Sequence, residues 1–301
     1  MNILMKLFNF GPIRSIIEFL QAYGEDHVTQ LSAAFSYYAL FAIGPMLLII
    51  ASLGSIIFGP EAVNGQLAQR LTDQFGTSVA QTIQDVVANT YKANYSAIGI
   101  AIGAFILILT ASGLFSHLRG SLNQIFGVVG DPKAPRLHGF FWPRIKGIVL
   151  LGLASIFVVG TTAGSVVITS IMNSATANHG SLHWLLESIN FIASVLIIGL
   201  LVGLIYISVP DLKIPRKLAL ASGLIVALLF GIGKTALGIL IGDSKTVSAY
   251  GAAASFIALL LWVFYFGQLL FAGAVGIKLY TRHRNIELKT NRYHLRQRKP
   301  I

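Results

Sequence analysis

From Ser188 to Val209 the chain reads SINFIASVLIIGLLVGLIYISV, without one charged side chain. Crossing the hydrocarbon core of a bilayer, roughly 30 Å thick, takes about 20 predominantly apolar residues as an α-helix. In lipid every backbone N–H and C=O must find its partner within the segment, so this stretch reads as a spanning helix rather than a strand. The same test, carried outward in both directions, finds five more spans at 36–59, 96–115, 147–171, 218–241 and 252–277. Of these only 218–241 holds a charge, Lys234. Composition agrees: 11% of the residues are charged, against about 25% in soluble domains, too few to build a water-facing surface. The ten-residue alternation of an outer-membrane barrel is missing. The fold expected is all-α, a polytopic membrane protein with six transmembrane helices.

The distribution of charge gives the bundle a direction. All of the 22 basic residues except Arg70, Lys92, Lys234 and Lys245 fall before the first span, in the second and fourth connections, or after the last span. The positive-inside rule then puts the N- and C-termini in the cytoplasm. Met1–Phe10 lacks the long apolar run and small-residue cleavage site of a signal peptide, so none is expected. The chain has no cysteine, which excludes disulfides, thiol nucleophiles and thiolate metal sites. Residues 1–285 read as one membrane domain and 286–301 as a basic cytoplasmic tail. With Tyr293 as its one aromatic residue, that tail suits anionic lipid better than nucleic acid. The expected partners are therefore membrane lipids, anionic ones included, and no nucleic acid.

Smaller elements fill the connections. Before the first span, Ile13, Ile16, Ile17, Leu20 and Tyr23 recur at helical spacing opposite Arg14, Glu18 and Gln21, predicting an interfacial amphipathic helix within 12–35. In the 60–95 connection, Val63, Leu67, Leu71 and Phe75, then Val79, Ile83 and Val86, predict two short amphipathic helices on the outer face. Ser96-Ala-Ile-Gly99 and Ser248-Ala-Tyr-Gly251 open spans two and six alike, a likeness too short to establish a repeat. Small residues four apart, Gly99 with Gly103, Gly223 with Ala227 and Ala272 with Gly276, mark expected helix contacts.

Polar groups inside a membrane are costly, so they are where function is sought. Lys234 lies about two-thirds of the way outward along its span. Two readings compete: its stem snorkels to the outer interface, or it lines a cavity for an anionic head group. Gln268 stands mid-span in the sixth helix. Pro45 removes a backbone donor and kinks the first span, as a packing feature or as a hinge that frees carbonyls near Phe41. Tyr37, Tyr38, Tyr206 and Tyr265 complete the candidates, each either a ligand group or an interface and packing residue. The expected substrate-binding set is Lys234, Gln268, Tyr37, Tyr38, Pro45 and Tyr206.

Catalysis finds little support. His179 and His183 have metal-ligand spacing, but Glu187 is the only carboxylate near them, and His117 and His138 stand singly on a basic loop. There is no G-x-S-x-G elbow and no phosphate-binding loop. No catalytic residue, metal site or cofactor is therefore expected.

Several stretches taken in order resemble the YihY/BrkB family of bacterial inner-membrane proteins. Ser32-Ala-Ala-Phe-Ser-Tyr-Tyr-Ala-Leu-Phe-Ala-Ile-Gly-Pro45 is similar to that family's AAxAYYxLFAxxP signature. Gly113-Leu-Phe-Ser-His-Leu-Arg-Gly-Ser-Leu-Asn-Gln-Ile-Phe-Gly127 resembles its LFxxLxxxLNxxWG stretch, with Phe126 at the tryptophan. Tyr206-Ile-Ser-Val-Pro-Asp211 resembles YxxxPD, and Gly231-Ile-Gly-Lys234, Tyr250-Gly251, Leu261-Trp262 and Gly273-Ala274 follow in order. The resemblance, over about 15–285, implies a six-span fold and suggests solute or lipid transport. A glutamate common after the Gly-Ala pair is Val275 here, which puts ion coupling at that position in doubt. The family once carried a ribonuclease label, and the metal cluster such an enzyme needs is missing from this sequence. The reading is a transporter of a lipid or small amphiphilic solute or osmolyte in the bacterial cytoplasmic membrane. A non-transporting scaffold is the alternative and a ribonuclease a distant third.

Overall fold

The computed structural model describes residues 11–42, 97–130, 180–242, 254–290 and 294–296. Among these are six helices: α1 Gly11–Glu25, α2 over 28–42, α3 Ala97–Phe126, α4 Gly180–Ser208, α5 Arg216–Gly242 and α6 Ala254–His283. Two short strands, β1 Val128–Gly130 and β2 His294–Arg296, pair antiparallel. The segments Phe191–Ser208, Arg216–Gly233 and Phe256–His283 are long and apolar enough to cross a membrane. The expected span 147–171, residues 43–59 of the first span and the 60–95 connection lie outside the described residues.

Several helices run past the apolar segments that announced them. The second span was expected to end near residue 115, yet α3 continues to Phe126. Its extension is amphipathic: Phe115, Leu118, Leu122, Ile125 and Phe126 are all buried, on one side of the helix. His117 therefore stands on a helix and not on a basic loop. Near the N-terminus the expected amphipathic segment is divided. α1 ends at Glu25, Asp26 and His27 turn, with His27 at φ 54°, and a new helix starts at Val28, ahead of the expected span.

α4 and α5 form an antiparallel pair, with Gly199 against Leu224 and Gly203 against Leu220. A Cβ added to Gly223 would stand 2.7 Å from the backbone nitrogen of Gly203, so the two backbones touch. Hydrophobic burial does not drive helices together in lipid, and such close backbone approach is a principal means of association. The sequence pattern pointed to Gly223 and missed its partners Gly199 and Gly203. Gly276 behaves differently, because a Cβ there would meet nothing within 4 Å. It is not a close-packing position. The outer faces carry exposed rows, Ile192, Leu196, Leu200 and Leu204 on α4 and Ile225, Leu229 and Ile232 on α5. Apolar rows of this kind suit lipid.

α6 is the hub. Its Phe271 meets Phe35 of α2 edge-on at 5.9 Å, while Trp262 and Phe266 pack on Phe230 of α5 at 5.8 and 5.6 Å. At one end of the bundle the chain is stitched across itself. The Lys213 N–H donates to the Lys289 carbonyl at 2.9 Å, and Leu212 bridges Thr290. β1, two residues after α3, pairs with β2 in the register Val128 to Arg296 and Gly130 to His294.

Candidate functional site

The expected site residues are spread over several helices. Pro45 lies outside the described residues. Lys234 belongs to α5, and its side chain, like that of His183 on α4, lies outside the described residues; so does His179. Gly233, just before Lys234, is packed on the Tyr265 ring, whose hydroxyl donates to the Leu229 carbonyl at 2.8 Å. Tyr206 is 0% exposed, and its hydroxyl donates to the Leu270 carbonyl at 2.6 Å. A Cβ on Gly273 would run into that hydroxyl, so the glycine makes room for the Tyr206 link between α4 and α6.

Tyr37 and Tyr38 are exposed, with Tyr37 edge-on to Phe41 at 5.0 Å. Tyr38 turns toward α3, lying over Gly113 and stacking on the His117 ring at 5.2 Å. His117 Nε2 donates to the Leu31 carbonyl at 3.0 Å and also reaches Ser121 Oγ at 3.3 Å. A carbonyl can only accept, so Nε2 carries the proton. These contacts fasten α2 to α3 through an aromatic ring and an imidazole.

Gln268 is the candidate the structure distinguishes. Its side-chain oxygen is buried and has no hydrogen-bond partner among the described residues. Leaving a buried acceptor unsatisfied costs about 1–3 kcal/mol. Gln268 follows Gly267, which lies against Ser32 and Phe35 of α2. Val275, fully buried, stands about two helical turns further along the same face. A methyl-bearing side chain thus stands where the family resemblance would place a glutamate.

The sequence reading missed a second constellation, at the stitched end. Asp211, just beyond α4, is gripped by α3. Arg119 donates through Nε to Oδ2 at 2.7 Å and through Nη2 to Oδ1 at 2.9 Å. Asn123 Nδ2 donates to Oδ2 at 2.6 Å, and the Asp211 N–H returns a bond to Asn123 Oδ1 at 2.9 Å. The Asp211 side chain is only 8% exposed. A fork-to-fork guanidinium–carboxylate pair is the strong form of ion pair, and here the amide holds it in one orientation. The signal was present: Arg119 and Asn123 are four apart on one helix face, and Asp211 is the acid of the YxxxPD-like stretch. Reading Arg119 only as a topology charge hid it.

A parallel lock holds α1. Lys278 Nζ donates to both oxygens of the buried Asp26, at 2.8 and 2.6 Å. His283 faces two acceptors, the Leu279 carbonyl at Nδ1 (2.9 Å) and Glu18 at Nε2 (3.0 Å). Only the doubly protonated ring can donate to both. No group of three or more metal-binding side chains occurs among the described residues.

Comparison with known proteins covers nearly the whole of this architecture. The family model described as Virulence factor BrkB matches residues 19–297. A UPF0761 membrane protein of Saccharophagus degradans is 24% identical over 91% of this chain and 61% of its own length. One from Cronobacter sakazakii is 26% identical over 88% of each chain, and one from Vibrio vulnificus 28% identical over 83% of this chain and 76% of its own. The chain spans about three fifths of the length of the Saccharophagus degradans relative and of the one from Teredinibacter turnerae. No solved structure matches.

Proposed function

The chain belongs to the Virulence factor BrkB family of membrane proteins, and on that premise we propose that it carries a lipid or small amphiphilic solute through its helical bundle. The reading places it in the bacterial cytoplasmic membrane with six spans and both termini inside. The observation that supports transport is the unpaired oxygen of Gln268. A buried acceptor without a donor among the described residues is a place where a passing ligand's hydroxyl or amine gains a hydrogen bond. Lys234, on α5, is the cation of the same reading and suits an amphiphile with an anionic head.

Reconstitution into liposomes tests this, with fluorescent phospholipid analogues in one arm and small osmolytes in the other. Wild type is expected to move at least one probe well above protein-free vesicles. Gln268→Leu is expected to slow that flux about tenfold, as the loss of one hydrogen bond worth roughly 1.4 kcal/mol would do. Lys234→Ala tests the cation separately. Flux equal in wild type and in both variants removes the site. Flux no higher than in empty vesicles for every probe leaves the scaffold reading, for which the exposed basic residues at the stitched end speak.

A further inference from the structure

We infer that the stitched end of the bundle is a docking surface for anionic phospholipid head groups, independent of whether the bundle transports. Lys213, Arg216 and Lys217 around the start of α5 are exposed, as are Arg282, Arg284 and Lys289 at and beyond the end of α6. The Lys213–Lys289 backbone bond and the Leu212–Thr290 bridge fix these two groups beside each other. Six cations outnumber the two exposed carboxylates left at this end, Glu287 and Glu25, and none of the six is in an ion pair among the described residues. Asp211 is consumed by Arg119 and Asp26 by Lys278, while Glu18 is shared between Arg14 and His283.

Phosphate on a lipid and phosphate on a nucleic acid would both answer these cations. The neighbouring apolar groups decide between them. α1 packs Phe19, Ala22 and Tyr23 onto the core but turns Ile16 and Leu20 outward, 59% and 61% exposed. Glu18, on the same helix, pairs with His283, so this apolar pair sits at the end of α6 where the cations are. Tyr280, also exposed, lies under the Arg284 guanidinium at 5.9 Å. A bilayer interface offers hydrocarbon to Ile16 and Leu20, an amphipathic level to Tyr280 and phosphate to the cations, all at one depth. A nucleic acid has nothing to offer Ile16 and Leu20.

Near an anionic membrane surface each cation strengthens binding roughly fivefold. The full chain in neutral detergent, titrated with short-chain phosphatidylglycerol or phosphatidylcholine while its thermal unfolding is followed, reads this directly. Phosphatidylglycerol is expected to act at concentrations at least tenfold lower, with the preference fading as salt rises. Lys213→Gln/Arg216→Gln/Lys217→Gln is expected to abolish the preference while leaving unfolding in phosphatidylcholine unchanged. Arg282→Gln/Arg284→Gln serves on the other edge and should weaken the preference if the first variant does not fold. An undiminished preference in a folded variant overturns the inference. So does an equal shift with inorganic phosphate, which marks an ion site, or displacement of the lipid by an RNA oligonucleotide.

Discussion

Two junctions in this molecule join helices by opposite means. α4 and α5 meet by close backbone approach at Gly199, Gly203 and Gly223. α3 meets the turn after α4 through an arginine, an asparagine and a carboxylate that exchange four hydrogen bonds. The depth of each junction explains the choice. Where lipid tails surround the helices, contact distance is the available currency and a charge would be a burden. Where the helices leave the hydrocarbon, a carboxylate can be kept ionised and used to fix one geometry.

Breaking the polar junction should have the larger effect. Asp211→Ala leaves Arg119 and Asn123 without their acceptor and is expected to cost about 3 kcal/mol, since removing one partner strands the other charge. A chemical or thermal unfolding curve in detergent measures it, and a loss below about 1 kcal/mol would mean that the pair is ornamental. Arg119→Met with Asp211→Leu should recover a good part of the loss, because no charge is then stranded. Next comes Gly223→Leu, which forces α4 and α5 apart at an expected cost of about 2 kcal/mol. Tyr206→Phe should cost about 1 kcal/mol, the bond to the Leu270 carbonyl. Smallest and opposite in sign, Gly276→Ala should stabilise the protein by somewhat under 1 kcal/mol, since its Cβ meets open space on a helix. Destabilisation by Gly276→Ala would mean that this face is covered.

The three segments Phe191–Ser208, Arg216–Gly233 and Phe256–His283 were legible because lipid would impose length and apolarity on each separately. Helix ends were not, because beyond residue 115 the α3 helix continues on a packed amphipathic face rather than an apolar run. Gly223 could be singled out from spacing, yet the same spacing rule also singled out Gly276, where an added Cβ would meet nothing within 4 Å; a pattern on one helix cannot say what faces it. The Asp211 clamp joins residues about ninety positions apart, and no local period connects them. Gln268 was legible as a polar residue in an apolar run. That its oxygen lacks a partner is a fact about its neighbours.

The pairing of β1 with β2 also orders events in time. Val128–Gly130 leave the ribosome long before His294–Arg296, and Asp26 precedes its partner Lys278 by 252 residues. Through most of synthesis the bundle therefore has an open strand edge and a lone carboxylate at one end. Both are closed only when α6 and the segment after it arrive. The last part of the described chain is thus a seal, and a chain stopped before it would leave the β1 edge, the Asp26 carboxylate and the Lys213 N–H without the partners they have in the folded chain.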